Sequence, residues 1–263
     1  MLQTTRRRQT GTVAPSVASA DLVRAAHADV WEAHGRHRVA YGGGTIRLPG
    51  IRLMAAGLPH PQWNSGDVTD PDLVDIETVR QWYADMDVPW GLRVATGVHW
   101  PYGRHLLSRR LMALEPGEYT PPDRVADVSL RLATLDDVEA VIAVDTVAFD
   151  EPVETDRPWV APLLSQPSTV VCLAELDGLP VGSGHCVMTD GDAGPAAYLG
   201  GIGVLPHARG RGVGTAISAW LVDRGVAAGV DFLHLSPDTE DAARIYARLG
   251  FVDVPGFDVY VDC

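Results

Sequence analysis

A glycine-rich segment, GIGVLPHARGRGVGT from Gly201 to Thr215, has the residue types and spacing most suggestive of chemistry. Apolar residues predict a strand that ends at Pro206, and those that follow predict a helix beginning near Val213. The first amides of a helix lack intrahelical partners, so a glycine-rich turn at that end can bind an anion. Arg209 and Arg211 add positive charge at its rim. The segment predicts a phosphate-binding loop, with an ordinary strand-to-helix turn as the alternative.

The same segment lacks the signatures of two common nucleotide-binding loops. The chain contains no lysine, which excludes a loop of the G-x-x-x-x-G-K-[ST] type. The following strand has no acidic residue placed to bind a ribose, as a dinucleotide-binding fold requires. Nucleotide hydrolysis and hydride transfer therefore lose support, and no metal is predicted.

Composition is that of an ordinary globular protein. The chain has 263 residues, 46% hydrophobic and 21% charged, which is enough for two small domains. No apolar run approaches the roughly 18 residues that span a bilayer, so we expect no membrane association. Cys172, Cys186 and Cys263 lack metal-site spacing and the density of a disulfide scaffold, so we expect a cytoplasmic location. Residues 1–20 predict a flexible tail rather than an export signal.

Charge is distributed unevenly along the chain. The formal net charge of -13 divides into +1 over residues 1–124 and -14 over residues 125–263. An acidic surface repels phosphate backbones and attracts cations. We therefore expect no nucleic-acid partner and a positively charged small molecule as ligand.

Around the loop, the hydrophobic pattern predicts a mixed α/β domain over residues 125–263. Thr134 and Asp137 resemble a capping box that opens a helix, and Asp238 is expected to cap a short helix that stops at Gly250. A linker rich in proline and glycine, residues 114–128, precedes this domain and places the boundary near residue 124. The expected strands are 128–132, 169–176, 181–189, 197–204 and 230–235, and the expected helices are 138–149, the one that begins at 213 and the one after 238.

The first half is also predicted to be α/β, without a phosphate-binding glycine loop. Apolar residues at helical spacing predict helices over 21–34, 75–86 and 105–112. Residues 91–95 are predicted to form a strand.

Two spaced motifs resemble those of the GNAT superfamily of acetyl-CoA-dependent N-acyltransferases. The pattern R/Q-x-x-G-x-G/A is matched by Arg209, Gly212 and Gly214. A second pattern is matched by Ala242, Tyr246, Gly250 and Phe251, with Thr239 where the family usually has Asn. The resemblance covers residues 127–263 and, more loosely, residues 20–120.

The resemblance implies an α/β (α+β) fold of two GNAT-like domains, each a mixed, mostly antiparallel twisted sheet flanked by helices. Residues 21–124 would form a degenerate domain without a CoA loop, packed beside a catalytic domain over residues 125–263. The first domain would wall the acceptor pocket. Trp63, Asn64, Trp90 and Trp100 could face that pocket, with core packing as the alternative for each.

The resemblance also implies acetyl-CoA as acyl donor and assigns residues to it. Backbone groups of Ile202, Gly203 and Val204 would bind the pantetheine arm between splayed strands and polarise the thioester carbonyl. Tyr246 lies where the family places the proton donor to the thiolate, and a phenol with a pKa near 10 is protonated at neutral pH. Membership of its helix's apolar stripe is the alternative reading of Tyr246. The pyrophosphate would be held by the amides of Gly210, Arg211, Gly212, Val213, Gly214 and Thr215.

The general base and the acceptor site are less clearly marked. The strand before the loop lacks the carboxylate that many family members carry, which leaves His185, Asp192 and Ser236 as candidates. A lone strand histidine is more often structural. The acidic segment after the predicted helix 138–149 would flank the acceptor entrance and could attract an ammonium group, with a solvated loop as the alternative. Its carboxylates are Asp150, Glu151, Glu154 and Asp156.

The expected activity is therefore transfer of an acetyl group from acetyl-CoA to a primary amine of a small molecule by direct attack. Acetylation of a peptide or protein amine is an alternative within the same class. A non-catalytic acyl-CoA-binding module is an alternative from another class, favoured by the missing carboxylate base. The sequence does not predict the oligomeric state.

Overall fold

A computed structural model describes residues 18–122 and 128–261. Most of the predicted N-terminal tail, the boundary near residue 124 and Cys263 lie outside these residues. The helices are α1 (Ala20–His37), α2 (Ile76–Asp85), α3 (Val138–Phe149), α4 (Val153–Ser165), α5 (Val213–Ala227) and α6 (Glu240–Arg248). None of the helices in the described ranges is long and apolar enough to cross a membrane.

The described strands form a single eleven-stranded sheet in the order β1-β2-β3-β4-β11-β5-β10-β9-β8-β7-β6. Most neighbouring strands pair antiparallel, but β3 with β4 and β9 with β10 pair in parallel. The strands are β1 (Gly44–Leu48), β2 (Ile51–Ala55), β3 (Ser65–Val68), β4 (Gly91–Ala95), β5 (Arg104–Leu114), β6 (Ser129–Leu132), β7 (Thr169–Leu176), β8 (Leu179–Gly191), β9 (Gly194–Val204), β10 (Phe232–Leu235) and β11 (Val252–Val261).

The two halves of the chain exchange strands within this sheet. Strand β5, from the N-terminal half, lies between β10 and β11, and Ala113 pairs with both His234 and Val252. Strand β11, at the C-terminal end, lies between β4 and β5. The sheet therefore runs without a break across the predicted boundary, and the division into two domains stays a prediction.

The predicted helix over residues 105–112 is wrong, because this segment is strand β5. Leucine, arginine and methionine favour helices intrinsically, but tertiary packing decides here. The four residues Leu111–Leu114 are all buried, as expected of a central strand covered on both faces. The sequence analysis also missed β11, whose pattern is interrupted by a register shift between Val254 and Phe257.

The elements of the C-terminal half largely match the predicted ones. Thr134 and Asp137 form the capping box before α3, and Gly250 ends α6 with a φ of 102°. The cap of α6 is Thr239 rather than Asp238, because the Thr239 hydroxyl accepts a hydrogen bond from the Ala242 amide at 3.1 Å.

A cluster of ion pairs joins α1 to the turn between β8 and β9. Buried Arg52 donates to Asp29 at 2.6 Å, and Asp29 accepts the backbone amides of Asp192 and Ala193. Arg47 binds the Asp192 carboxylate at 2.9 Å. Asp192, a candidate general base, therefore has a structural role between the two halves.

Candidate active site

A cavity of about 1000 Å³ lies between the two halves of the chain. Its first wall is the end of β9, the turn after it and the start of α5. Its second wall is α6, and its third comes from the N-terminal half. The predicted donor residues therefore face residues that the sequence did not connect with them.

Strands β9 and β10 separate at the cavity. They pair in parallel only from Ala196 to Tyr198 of β9, opposite Phe232 to His234 of β10. Beyond this point, residues 199, 200, 203 and 204 pair with β8 on one side, and residues 199–204 pair with no described strand on the other. The register of β8 with β9 also shifts around Gly201, which has a φ of 57°. This leaves a free strand edge that can hydrogen-bond to an extended amide chain.

In the described part of the chain, the first amides of α5, those of Val213, Gly214 and Thr215, have no hydrogen-bond partner. Gly212 occupies the N-cap position with a φ of 80° and has no side chain that could cap the helix. Gly210, two residues earlier, has a φ of 73°. Both conformations favour glycine. The Arg209 guanidinium donates to the Val204 and Ala148 carbonyls at 2.9 and 3.3 Å, so it fixes the turn against β9 and α3. Arg211 is exposed and does not line the cavity.

Tyr246 lies on α6 and lines the cavity, with 9% of its surface exposed. Its ring packs edge-on against Phe251 at 6.0 Å. Burial raises the pKa of the Tyr246 phenol above its usual value, and the Asp238 carboxylate raises it further. The phenol is therefore protonated at neutral pH, as a proton donor must be.

The remaining candidate bases differ in their access to the cavity. His185 does not line it, and its ring packs against the backbone of Gly200 and Gly201, where an added Cβ would lie 2.8 Å from a ring nitrogen. Burial lowers the pKa of His185 to about 4, so the ring is neutral. Ser236 lines the cavity, and its hydroxyl donates to the Arg110 carbonyl at 3.0 Å.

The acidic segment lies beside the cavity rather than in it. Asp150 ends α3 in the left-handed conformation and is exposed. Neither Asp150 nor Glu151 lines the cavity, whereas Phe149 does. The side chains of Glu154 and Asp156 lie outside the described part of the chain. A role for this segment in acceptor binding stays a prediction.

The wall from the N-terminal half contains residues that the sequence analysis mostly missed. Of the four predicted pocket residues, Trp63 lines the cavity. Asn64 is fully buried and binds backbone groups, including the Ala56 amide at 2.8 Å. Trp90 stacks on Tyr83, and Trp100 belongs to the core of this half. The wall is formed by His27, Trp31, Gln62, Trp63, Ser65, Arg93 and Arg109.

Comparison with known proteins identifies the class. Residues 138–251 match the sequence model of the acetyltransferase (GNAT) family. The C-terminal half of the chain therefore carries a GNAT-family acetyltransferase domain, as its motifs predicted. A search of curated proteins found no matching relative.

Solved structures share the fold over nearly the whole chain. The GCN5-related N-acetyltransferase from Kribbella flavida is 21% identical, with a TM-score of 0.68 over 88% of this chain and 93% of its own. A putative GNAT acetyltransferase from Novosphingobium aromaticivorans is 16% identical, with a TM-score of 0.60 over 92% and 97%. A tandem GNAT protein from the clavulanic acid biosynthesis pathway is 14% identical, with a TM-score of 0.59 over 93% and 96%. These likenesses confirm the predicted fold class.

The described residues contain no group of three or more histidine, cysteine, aspartate or glutamate side chains placed to hold a metal ion. The polar groups that line the cavity are backbone amides, hydroxyls, phenols, guanidinium groups, the His27 imidazole, the Gln62 side-chain amide and the carboxylates of Asp238 and Asp241.

Proposed function

We propose that the protein transfers an acetyl group from acetyl-CoA to a primary amine of a small molecule by direct attack. One observation carries this proposal: a free strand edge, a turn of unpaired amides and a protonated phenol line the same cavity. Each meets a different need of the donor, which has an amide-containing arm, a pyrophosphate and a thiol leaving group.

The donor fits the C-terminal walls of the cavity. Backbone groups of Ile202, Gly203 and Val204 would extend the sheet with the pantetheine arm, and their position beside the bulge at Gly201 suits polarisation of the thioester carbonyl. The pyrophosphate would lie on the amides at the start of α5, where the helix dipole is positive. The lining residues of this loop are Arg209, Gly210, Gly212, Val213, Gly214 and Thr215.

In the reaction, the neutral amine forms a bond to the thioester carbon while the carbon–sulfur bond breaks. The electron pair of that bond leaves with sulfur, and the Tyr246 hydroxyl gives its proton to the thiolate. The extra proton on the amine passes to water or to a cavity side chain, and a proton from solvent restores the Tyr246 hydroxyl after the thiol has formed. Ser236 can position such a water, and the Asp238 carboxylate, which lies at the same end of the cavity, can accept the proton.

The N-terminal wall supports a small acceptor over a peptide. Trp31 and Trp63 line this wall, and both pack against Trp159, so bulky aromatic rings take up room that a long chain would need. Cys172 and Cys186 are free thiols in neighbouring strands, which supports a reducing, cytoplasmic environment as part of the proposal.

Thiol release from acetyl-CoA with a library of primary amines, combined with detection of the N-acetylated product, tests the proposal. Tyr246→Phe keeps the ring and removes only the hydroxyl, so kcat should fall by about 10² to 10⁴-fold with acetyl-CoA affinity preserved. Tyr119→Phe is the matched control, because Tyr119 lies outside the cavity lining. Full kcat in Tyr246→Phe, with chemistry shown to limit the rate, would return Tyr246 to a packing role.

The competing function is a non-catalytic acyl-CoA-binding module. It is favoured by the absence of a carboxylate on the cavity-lining part of β9. Tight acetyl-CoA binding without thiol release for any amine in the library would support that function and contradict the proposed one.

A further inference from the structure

Two arginines enter the cavity from the N-terminal wall on the same face of the sheet. Arg93 of β4 pairs with Val259 of β11, and Arg109 of β5 pairs with Phe257. Directly paired residues of antiparallel strands point to the same face, and so do residues two apart on one strand. All four residues line the cavity. Because β11 alone separates β4 from β5, the arginine-bearing strands are about 10 Å apart.

Arg93 is held rigidly and has a donor to spare. Only 5% of its surface is exposed, and its Nε and Nη2 donate to the two carboxylate oxygens of Asp67, each at 2.7 Å. Its guanidinium carbon lies 4.5 Å from the centre of the Trp31 ring. Among the described residues, Nη1 of Arg93 makes no hydrogen bond. This nitrogen can donate to a group in the cavity.

Arg109 is held by partners that a ligand can replace. Its Nη1 pairs with Asp238, and its Nη2 lies 3.4 Å from the Gln62 side-chain oxygen. The Asp238 side chain is 64% exposed, so this is a surface ion pair that contributes little stability. A ligand anion can take the place of Asp238 on Arg109.

Tyr198 connects this arginine pair with the reaction edge of β9. It lines the cavity at the last residue where β9 pairs with β10. Burial raises the pKa of the Tyr198 phenol to about 12. The negative charge of Asp238 also raises this pKa, whereas the positive charges of Arg109 and Arg93 lower it. The phenol is therefore protonated at neutral pH, and it lines the cavity beside the strand edge assigned to the thioester.

We propose that the acceptor carries an anionic group, of the carboxylate type, besides its amine, and that Arg109 and Nη1 of Arg93 bind this group. The inference rests on the proposed function and specifies its substrate class. Trp31, Trp63 and Phe257 line the same wall and suit an apolar or aromatic body. The predicted class of acceptor is a small molecule that carries both an amine and a carboxylate, as an amino acid does. The acidic segment after α3 would instead favour an acceptor that carries only positive charge.

Matched acceptors test this assignment. Thiol release is measured with amino carboxylic acids and with amines of the same skeleton that lack the carboxylate. We expect kcat/KM to be at least about tenfold higher for the carboxylate-bearing member of each active pair. Arg109→Gln should remove that advantage, so that kcat/KM for each carboxylate falls to that of its carboxylate-free counterpart measured with the same variant, while the acetyl-CoA affinity is unchanged. Equal or better use of the carboxylate-free amines by the unaltered protein would overturn the inference.

Arg110→Gln is the matched control. Arg110 is the next residue on β5, has similar exposure to Arg109, and pairs with Glu240 and Asp253 outside the cavity lining. Its substitution should leave the preference for carboxylates intact. An equal loss of the carboxylate preference in both variants would mean that the preference depends on the overall positive charge of this region. It would contradict a specific carboxylate site at Arg109.

A binding experiment tests this inference independently of the proposed function. Calorimetry measures 3-phenylpropionate, with 3-phenylpropionamide as its uncharged counterpart, against the unaltered protein and both variants. Binding of the carboxylate alone, lost in Arg109→Gln, would support the subsite even if no amine were acetylated. Acetyl transfer with no carboxylate preference and no such binding would retain the function and overturn the subsite.

Discussion

β3–α2–β4 in the N-terminal half and β9–α5–β10 in the C-terminal half are strand–helix–strand units whose strands are neighbours in the sheet. Both pair their strands in parallel. In the first unit, Asp67 pairs with Arg93 across the two strands, and their largely buried side chains form an ion pair. In the second unit the strands separate after Tyr198 and leave a free edge. We call β3–α2–β4, whose strands are bridged by this ion pair, the closed unit, and β9–α5–β10, whose strands separate, the open unit.

The turns that lead into the two helices differ in the same sense. Asp75 caps α2 by accepting the Glu77 amide, and Asp70 accepts the Asp72 amide. These carboxylates accept the hydrogen bonds that the amides could otherwise donate to a phosphate, and they place negative charge where a phosphate would bind. The turn before α5 has Gly210 and Gly212 instead, and no described side chain caps the first amides of the helix. The proposed donor site therefore lies in one half, and the other half provides the opposite wall of the cavity.

The closed unit should lose the most when its ion pair is broken. Asp67→Asn leaves the guanidinium of Arg93 buried without its charged partner. Burial opposes ionisation of Asp67, but Arg93 outweighs it and lowers the pKa of the carboxyl. We expect the free energy of unfolding in urea to fall by about 3 to 5 kcal/mol. Asp253→Asn, which removes an exposed ion pair, should change it by less than about 1 kcal/mol.

The open unit should lose its ligand when its turn is filled. Gly212→Asp places a side chain and a negative charge at the start of α5, so the Kd for CoA should rise at least tenfold, or about 1.4 kcal/mol. Gly229→Asp is the matched control, because Gly229 also has a positive φ of 77°, follows the far end of the same helix and has open space around it. Equal CoA affinity in folded Gly212→Asp and Gly229→Asp proteins would remove the phosphate assignment.

This contrast explains why one half could be predicted well and the other poorly. The donor side is local in sequence: the glycine turn leads into α5 and Tyr246 lies on α6, with only β10 between the two helices, and the spacing of their motifs alone relates them. The acceptor wall is assembled from distant segments, such as Trp31 on α1 and Arg109 on β5, by pairing that no local pattern encodes. Arg93 did leave a signal, because a charge inside the apolar strand GLRVA indicates a buried partner.

The junction between the halves contains buried histidines and should weaken in acid. His27 of α1 packs against Tyr198 and His234, and His34 of α1 hydrogen-bonds Gln166. Burial lowers the pKa of His34 to about 3 and of His185 to about 4, and it also lowers those of His27 and His234. Unfolding lets these rings bind protons near pH 6.5, so the unfolded chain binds more protons than the folded one below that pH.

Stability should therefore be fully present above about pH 6.5 and should decline towards pH 4. The expected loss is on the order of 1 kcal/mol per pH unit for each buried histidine. Urea unfolding at pH 7, 6 and 5 measures it. His207→Gln, at an exposed position after β9, should leave the slope unchanged. A flat profile over this range would show that these rings are already protonated in the folded protein.

The smallest effect is expected from the acidic segment of the C-terminal half. If Asp150 and Glu151 attract a cationic acceptor, the double variant Asp150→Asn, Glu151→Gln should raise the acceptor KM at low salt, and added salt should blunt the difference. Neither side chain lines the cavity, so we expect the acceptor KM to change by less than about twofold at physiological ionic strength, where charges about 8 Å apart are largely screened. The contrary result would be a salt-sensitive rise in acceptor KM with an unchanged acetyl-CoA KM. It would show that the acceptor is recognised by the C-terminal half, which is also proposed to bind the donor, rather than by the N-terminal wall.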